Sequence, residues 1–288
     1  MTKAHNWSTP KRHAGAHDGE VEAVEPDERS LVPAVTRAVA ILDLLAEQRQ
    51  ALGISAIARR LGLPKSSVAN LCSTLVDTGL LRVQDGGVRL GQHLAQLGSA
   101  YLAGIDQVRL FQDSCELLNA GRNDTVQLAL LSHNIDVIYL AKRDGVNPVR
   151  LASAPGRALP ATCTATGKAM LATLDADDLD DRLAAAGVLP QLTPHSITTV
   201  TGLRRELDLI RSRGYALDQE EVIEGVVCIA IAIPRQTPAE QLLAVSITLL
   251  KPRATKPLLR QLAVELRAVT DEIARALGVP LVGRAAAV

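Results

Sequence analysis

The chain has 288 residues, 47% of them hydrophobic, 22% charged and only 2% aromatic, with 31 lysines and arginines against 31 aspartates and glutamates. At roughly 100–200 residues per domain, that length suits about two domains. The zero balance excludes a protein that coats nucleic acid by bulk charge, and the scarcity of aromatics argues against a single-strand binder or an aromatic ligand box.

Residues 1–30 are polar, carrying His5, His13 and His17 and then an acidic cluster from Asp18 to Glu28. Too little apolar surface is present to offset ordering, so a disordered tail is predicted there, with a second short tail at 281–288. Met1–Pro10 has no apolar core of a secretory signal. The longest apolar runs, such as Val226–Ile233, fall far short of the roughly 18 residues that a membrane helix needs. Cys72, Cys115, Cys163 and Cys228 lie far apart without a Cys-x-x-Cys pair. A soluble, cytoplasmic protein with reduced thiols is expected, with no membrane partner.

Helical periodicity begins after Pro33, with Val35, Ala38, Val39, Leu42 and Leu45 on one predicted face. Gly53 breaks it, and Ser55 stands where an N-cap belongs before Ile57, Ala58 and Leu61. Gly62 ends that short helix, and Pro64 opens a third as its first residue. The third helix turns Val68, Leu71, Cys72, Leu75 and Val76 inward and stops at Gly79. Two alternating strands, 81–83 and 88–90, flank Gln84-Asp85-Gly86-Gly87, a hairpin turn pattern. Three short helices and a hairpin make a winged helix-turn-helix over 31–91.

Residues 91–103 read as a linker helix or dimer contact, with Leu94, Leu97, Tyr101 and Leu102 on one side, and the linker is drawn over 92–106. A further helix is predicted over 106–120. The rest, 107–280, is mixed in texture, so the fold class is α+β. Strands are predicted at 125–131, 136–141, 226–233 and 242–250, and helices at 166–174, 203–213 and 258–277. The last turns Leu262, Leu266, Val269 and Ile273 inward.

The outward face of the third helix carries Lys65, Ser66, Ser67, Asn70, Ser73 and Thr74. Short polar side chains with one cation suit a recognition helix, whose first turns enter the major groove and meet base edges. Arg82 and Arg89 on the wing, and Arg37 on the first helix, are added as contacts to double-stranded operator DNA. Residues 31–91 hold seven cations and four acids, a local excess of three, so zero net charge does not argue against DNA.

The stretch from Ile54-Ser55-Ala56-Ile57-Ala58-Arg59-Arg60-Leu61-Gly62-Leu63-Pro64 to Lys65-Ser66-Ser67 resembles the N-terminal domain of the isocitrate-lyase-regulator (IclR) family of bacterial transcription factors. Gly156-Arg157-Ala158-Leu159-Pro160 with Thr166-Gly167-Lys168-Ala169, Arg213-Gly214-Tyr215 to Asp218-Gln219-Glu220-Glu221, and Gly225 to Cys228-Ile229-Ala230 look like its later segments, in the family's order. The resemblance covers 31–280. Ala69 departs from it, standing where many members carry a larger side chain, so no operator sequence carries over.

The resemblance implies a GAF-like C-terminal domain that binds a small-molecule effector, often a carboxylate, in a homodimer or dimer of dimers. By motif, the effector pocket uses the turn Thr164-Ala165-Thr166, together with Asp218, Cys228, Ser246 and Thr248. Backbone N–H groups at the start of the Thr166 helix suit an anion. Lys168 lacks the spacing of a phosphate loop and reads as a structural or salt-bridge residue. No cofactor and no metal are expected, since Cys163, His195, Asp218 and Cys228 lack the spacing of a compact metal site. Two other readings are a Cys-dependent enzyme, with Cys163 or Cys228 as nucleophile and His195 as base, and an architectural DNA binder without a sensor. The first lacks any Gly-x-Ser-x-Gly elbow or dinucleotide fingerprint, and the second leaves the large C-terminal half without a role.

Overall fold

The computed structural model describes residues 31–48, 50–119, 123–146 and 155–281. The tails expected at 1–30 and 281–288 fall outside these, except for Leu281. The chain divides into two compact units between Gly104 and Ile105.

In the first unit, α1 (Pro33–Ala46), α2 (Ile54–Leu61) and α3 (Lys65–Asp77) precede a hairpin of β1 (Leu81–Gln84) and β2 (Gly87–Leu90). Gly62 caps α2 in the left-handed region, at φ 63°. Asp85 (φ 50°) and Gly86 (φ 74°) form a two-residue turn with both φ positive, which matches strand twist. Leu52 and Val88 exchange backbone hydrogen bonds of 3.1 and 2.9 Å, pinning the α1–α2 connection to the wing. Ile41, Leu45, Ile57, Val68, Cys72, Leu75, Leu81 and Val88 form the core.

Several local expectations shift. Ser55 does not cap α2: Gly53 is the cap, and Ser55 is the second helical residue, exposed. Pro64 is the cap of α3 rather than its first residue. On α1 the buried positions are Ile41 and Leu45, whereas Val35 and Val39 remain 60% and 49% exposed. The helix expected as a linker is α4 (His93–Ala103), which falls within the first unit; no residue of it is buried, and Leu97 and Tyr101 are about half exposed.

The second unit opens with α5 (Asp106–Ser114), which gives way to a single 3-10 turn at Cys115–Leu117 instead of continuing to residue 120. Then come β3 (Thr125–Leu131), β4 (Asp136–Arg143), β5 (Ala158–Pro160), α6 (Ala165–Leu171), α7 (Ala176–Ala186), α8 (Val200–Arg213), β6 (Ala216–Gln219), β7 (Val226–Ala232), β8 (Leu243–Leu250) and α9 (Lys256–Ala276). The six strands form one antiparallel sheet in the order β5-β4-β3-β8-β7-β6, a GAF-like arrangement. One face packs on α6, α7 and α8 through Met170, Leu171, Leu179, Leu203 and Leu207. On the other, α9 lays Leu262, Leu266, Val269 and Ile273 against β7 and β8, all fully buried. Strands 125–131 and 226–232, and the closing helix, fall within a few residues of their predicted spans. The helix predicted at 166–174 ends at Leu171.

Candidate functional site

The start of α3 is open to solvent. Lys65, Ser66, Asn70, Ser73 and Thr74 are exposed and Ser67 is half-buried. Thr74 donates its hydroxyl to the Asn70 carbonyl at 3.1 Å, which turns it back onto its own helix. The Asn70 carboxamide has no partner among the described residues, so it is available to a base edge. α3 packs on β1, and on that hairpin Arg82 stands directly opposite Arg89. Like charges facing each other across a strand pair destabilise it. Neither arginine is ion-paired among the described residues, so an external anion between them would relieve the repulsion. Arg37 is half-buried on α1.

In the second unit the antiparallel register builds a polar row across the sheet. Asp218 on β6 lies beside Cys228 on β7, and Cys228 beside Thr248 on β8. Ser246, two residues along, lies beside Gln127 on β3. The Cys228 thiol and Thr248 hydroxyl are 3.3 Å apart, and Thr248 donates to Gln127 Oε1 at 3.5 Å. Asp218, Gln127, Ser246 and Thr248 are all buried.

α6 covers this row. Thr164 is its N-cap, and its Oγ1 accepts the Gly167 N–H at 3.1 Å. The expected anion site at that helix start is therefore partly consumed by the protein itself, and α6 is only seven residues long. Ala165 belongs to the apolar cluster. Thr166 is buried near the Tyr139 phenol, but its hydroxyl makes no hydrogen bond of normal geometry.

Sequence reasoning gave Lys168 a salt-bridge role without a partner, and the partner is Glu221. The ammonium pairs with Glu221 Oε1, with the two side chains only 1% and 7% exposed. Glu221 Oε2 is buried with no hydrogen-bond partner among the described residues. The Glu221 N–H donates to Asp218 Oδ1 at 2.7 Å. Two acids thus share one enclosed region with one base. Burial pushes the Glu221 carboxyl up, and the Lys168 ammonium pulls it back. Burial raises Asp218 to about 7, with the Glu221 charge adding to it. Burial also raises Tyr139 on β4, which alternation alone does not distinguish from a core residue.

An aspartate whose folded pKa lies above its unfolded value holds its proton more tightly in the fold. That contribution is complete below about pH 4 and is lost as pH rises through 7. Asp218→Asn keeps an acceptor for the Glu221 N–H and removes the charge. Its advantage over the wild type is expected to be greater at pH 8 than at pH 5, by on the order of 2 kcal/mol, read by calorimetry at the two pH values. Equal stability at both would mean that Asp218 is solvated.

Cys163 is fully buried, and its thiol donates to the Pro190 carbonyl at 3.3 Å. His195 is exposed. Among the described residues no three His, Cys, Asp or Glu side chains converge as a metal site.

A winged helix with an open polar recognition helix, linked in one chain to an α+β unit with an enclosed polar row, defines a DNA-binding transcriptional regulator. The helix-turn-helix domain of IclR matches residues 34–85, and the C-terminal domain of the bacterial transcriptional regulator IclR matches 99–275. The chain belongs to the IclR family. It is 30% identical over 252 residues to the regulator XynR of Escherichia coli, covering 87% of this chain and 99% of that one. It is also 30% identical to KdgR of Dickeya chrysanthemi, over 70% of this chain and 66% of that one. Among solved structures, the Agrobacterium tumefaciens repressor BlcR shares 32% identity at a TM-score of 0.55, over 87% of this chain and 99% of that one. An IclR homologue from Microbacterium hydrocarbonoxydans, complexed with 4-hydroxybenzoate, shares 26% at 0.67, over 84% and 99%.

Proposed function

We propose that this regulator reads a specific operator through α3 and the wing, and that a small molecule held on the polar row of the C-terminal domain changes that binding. The facing pair Arg82 and Arg89, beside the open start of α3, carries the DNA half of the reading. In it, Lys65, Ser66, Ser67, Asn70 and Ser73 face the groove, and Arg37, Arg82 and Arg89 hold phosphates. The winged domain spans 31–91, the linker 92–106 and the effector domain 107–280. The uncovered apolar side of α4 fits a second copy, so we read a homodimer or dimer of dimers, acting in the cytoplasm and on the nucleoid.

The effector half rests on orphaned groups. Glu221 Oε2 and Thr166 Oγ1 are buried polar atoms that a ligand would satisfy. Asp218, Cys228, Ser246 and Thr248 form the floor, and the Thr164-Ala165-Thr166 turn the roof. Such a row favours the sensor reading over a purely architectural binder. A carboxylate effector, as in the Microbacterium homologue, enters here only beside two acids, so it suits the row best when Asp218 is protonated. The thiols argue against a Cys-dependent enzyme: burial raises both Cys163 and Cys228, whereas a nucleophile needs its thiolate.

Footprinting on DNA upstream of its own gene tests the reading. A protected pair of half-sites about one helical turn, or a multiple, apart is expected. Asn70→Ala is expected to weaken specific binding by about 1–3 kcal/mol while leaving binding to random DNA unchanged. Equal loss on both DNAs would show that Asn70 only positions the backbone.

A further inference from the structure

An open cleft lies at the other end of α6. β6 begins pairing at Ala216, opposite Ala230, whereas β7 runs on to Ala232. The last residues of β7 therefore have no β6 neighbour. The ends of α6 and α8 and one turn of α9 surround that stretch and leave a cleft of about 340 Å³. Its apolar lining includes Ala172, Ile210, Ile231 and Ala232, and Arg211 and Arg267 line it as well.

The two arginines have an evident structural task. Arg211 donates Nε to the Ala172 carbonyl at 3.0 Å, and Arg267 donates Nη2 to the Gly214 carbonyl at 3.0 Å. Both carbonyls lie at helix ends, where cations are favourable. That task uses a small part of two guanidiniums with five N–H donors each. Arg211 also donates Nη1 to Asp208, on the exposed side of α8. Among the described residues Arg267 has no ion pair and no acidic side chain lines the cleft. The polar row has the reverse balance, with two acids and one already paired base.

Two guanidiniums above an aliphatic floor are complementary to a carboxylate on a short apolar body. The volume is at the small end of the range for ligand pockets, roughly 300–1,000 Å³. We propose that this cleft is a second ligand site on the C-terminal domain, taking a small aliphatic carboxylate on Arg211 and Arg267. α6 connects it to the row: Lys168 pairs with Glu221, whose N–H donates to Asp218, and Ala169 and Ala172 line the cleft. An occupant of the cleft thus leans on the helix that positions the Lys168 ammonium.

The test uses the full-length protein and a matched pair of probes, pentanoate and pentanamide, followed by ligand-observed NMR titration at pH 7.5. Pentanoate is expected to bind about tenfold more tightly than the amide, a preference that charge-assisted hydrogen bonds to arginine supply. Arg211→Gln changes a part-exposed side chain and is expected to remove most of that preference. Arg211→Lys, which keeps charge but not the fork, is expected to retain part of it. No binding of pentanoate, equal binding of the two probes, or an unchanged preference in Arg211→Gln overturns the proposal. Operator DNA is absent throughout, so the result stands apart from the regulator reading.

Discussion

Lys168→Met is expected to destabilise the second unit by about 3–5 kcal/mol at pH 8, the usual consequence of removing one partner of a buried ion pair. Methionine keeps the length and the apolar stem and has a similar helix propensity, so the change isolates the ammonium. The lysine is 1% exposed, and its partner Glu221 is nearly as enclosed. Without Lys168, Glu221 and Asp218 remain as two acids in one enclosed region. Burial already raises both, and the ammonium is a force pulling each down. Its loss drives them to take up protons. At pH 5 they can do so, and the deficit should shrink; at pH 8 both must ionise in the fold or remain neutral against the solution. The loss therefore grows as pH rises. The pair Lys168→Met with Glu221→Gln should recover much of it, because no buried charge is then left without a counterion. Urea denaturation at pH 5 and pH 8 measures all three. A loss under about 1 kcal/mol at pH 8 would show that water reaches the pair.

What was readable from the sequence follows from how local each feature is. The winged unit is built from short elements with a glycine or proline at nearly every boundary, and Gly62, Gly79 and Gly86 all take positive φ. Its errors are errors of phase. A 3.6-residue period on α1 admits two adjacent stripes, and Val35 and Val39 belong to the outer one, left uncovered in the single chain. Ser55 has capping chemistry, but Gly53 already has the extended backbone of a cap. In the second unit, β7, β8 and α9 are long enough to show their periods. β5 has three residues and β6 four, too few for alternation to register. α7 offers only Leu179 and Leu183 as buried positions beside four aspartates and an arginine, although Asp175 caps it through the Asp178 N–H at 2.8 Å. The polar row is drawn from four strands, and Gln127 lies 121 residues from the Thr248 hydroxyl that donates to it. Only the family resemblance brought Asp218, Cys228, Ser246 and Thr248 together, and it passed over Glu221 as a partner of Lys168, 53 residues away.

Gly167→Ala is expected to damage the same unit by at least about 3 kcal/mol, at the upper end of overpacking effects, against the usual sign for a glycine in a helix. Ordinarily alanine improves a helix interior by about 0.5–1 kcal/mol relative to glycine. Here the position demands closeness instead of an unusual backbone angle. A Cβ on Gly167 would lie 2.2 Å from the Ala161 carbonyl oxygen and 2.3 Å from its Cα. These are backbone atoms and have no rotamer to yield. Ala161 is also fixed from behind, since its N–H donates to the Ile135 carbonyl at 2.8 Å and its surface is fully buried. The strain must therefore fall on α6, which carries Thr166 and Lys168 over the polar row. Gly202→Ala supplies the comparison, because the close neighbours there, Thr199 Oγ1 at 2.9 Å and Ile197 Cγ2 at 3.3 Å, are side-chain atoms that can turn away. Thermal melts should separate the two substitutions by several degrees. If Gly167→Ala melts like the wild type, the approach of α6 to residue 161 does not hold that helix in place. If it folds only at low temperature, any effector response should be lost there as well, because a displaced α6 takes the Lys168 ammonium away from Glu221.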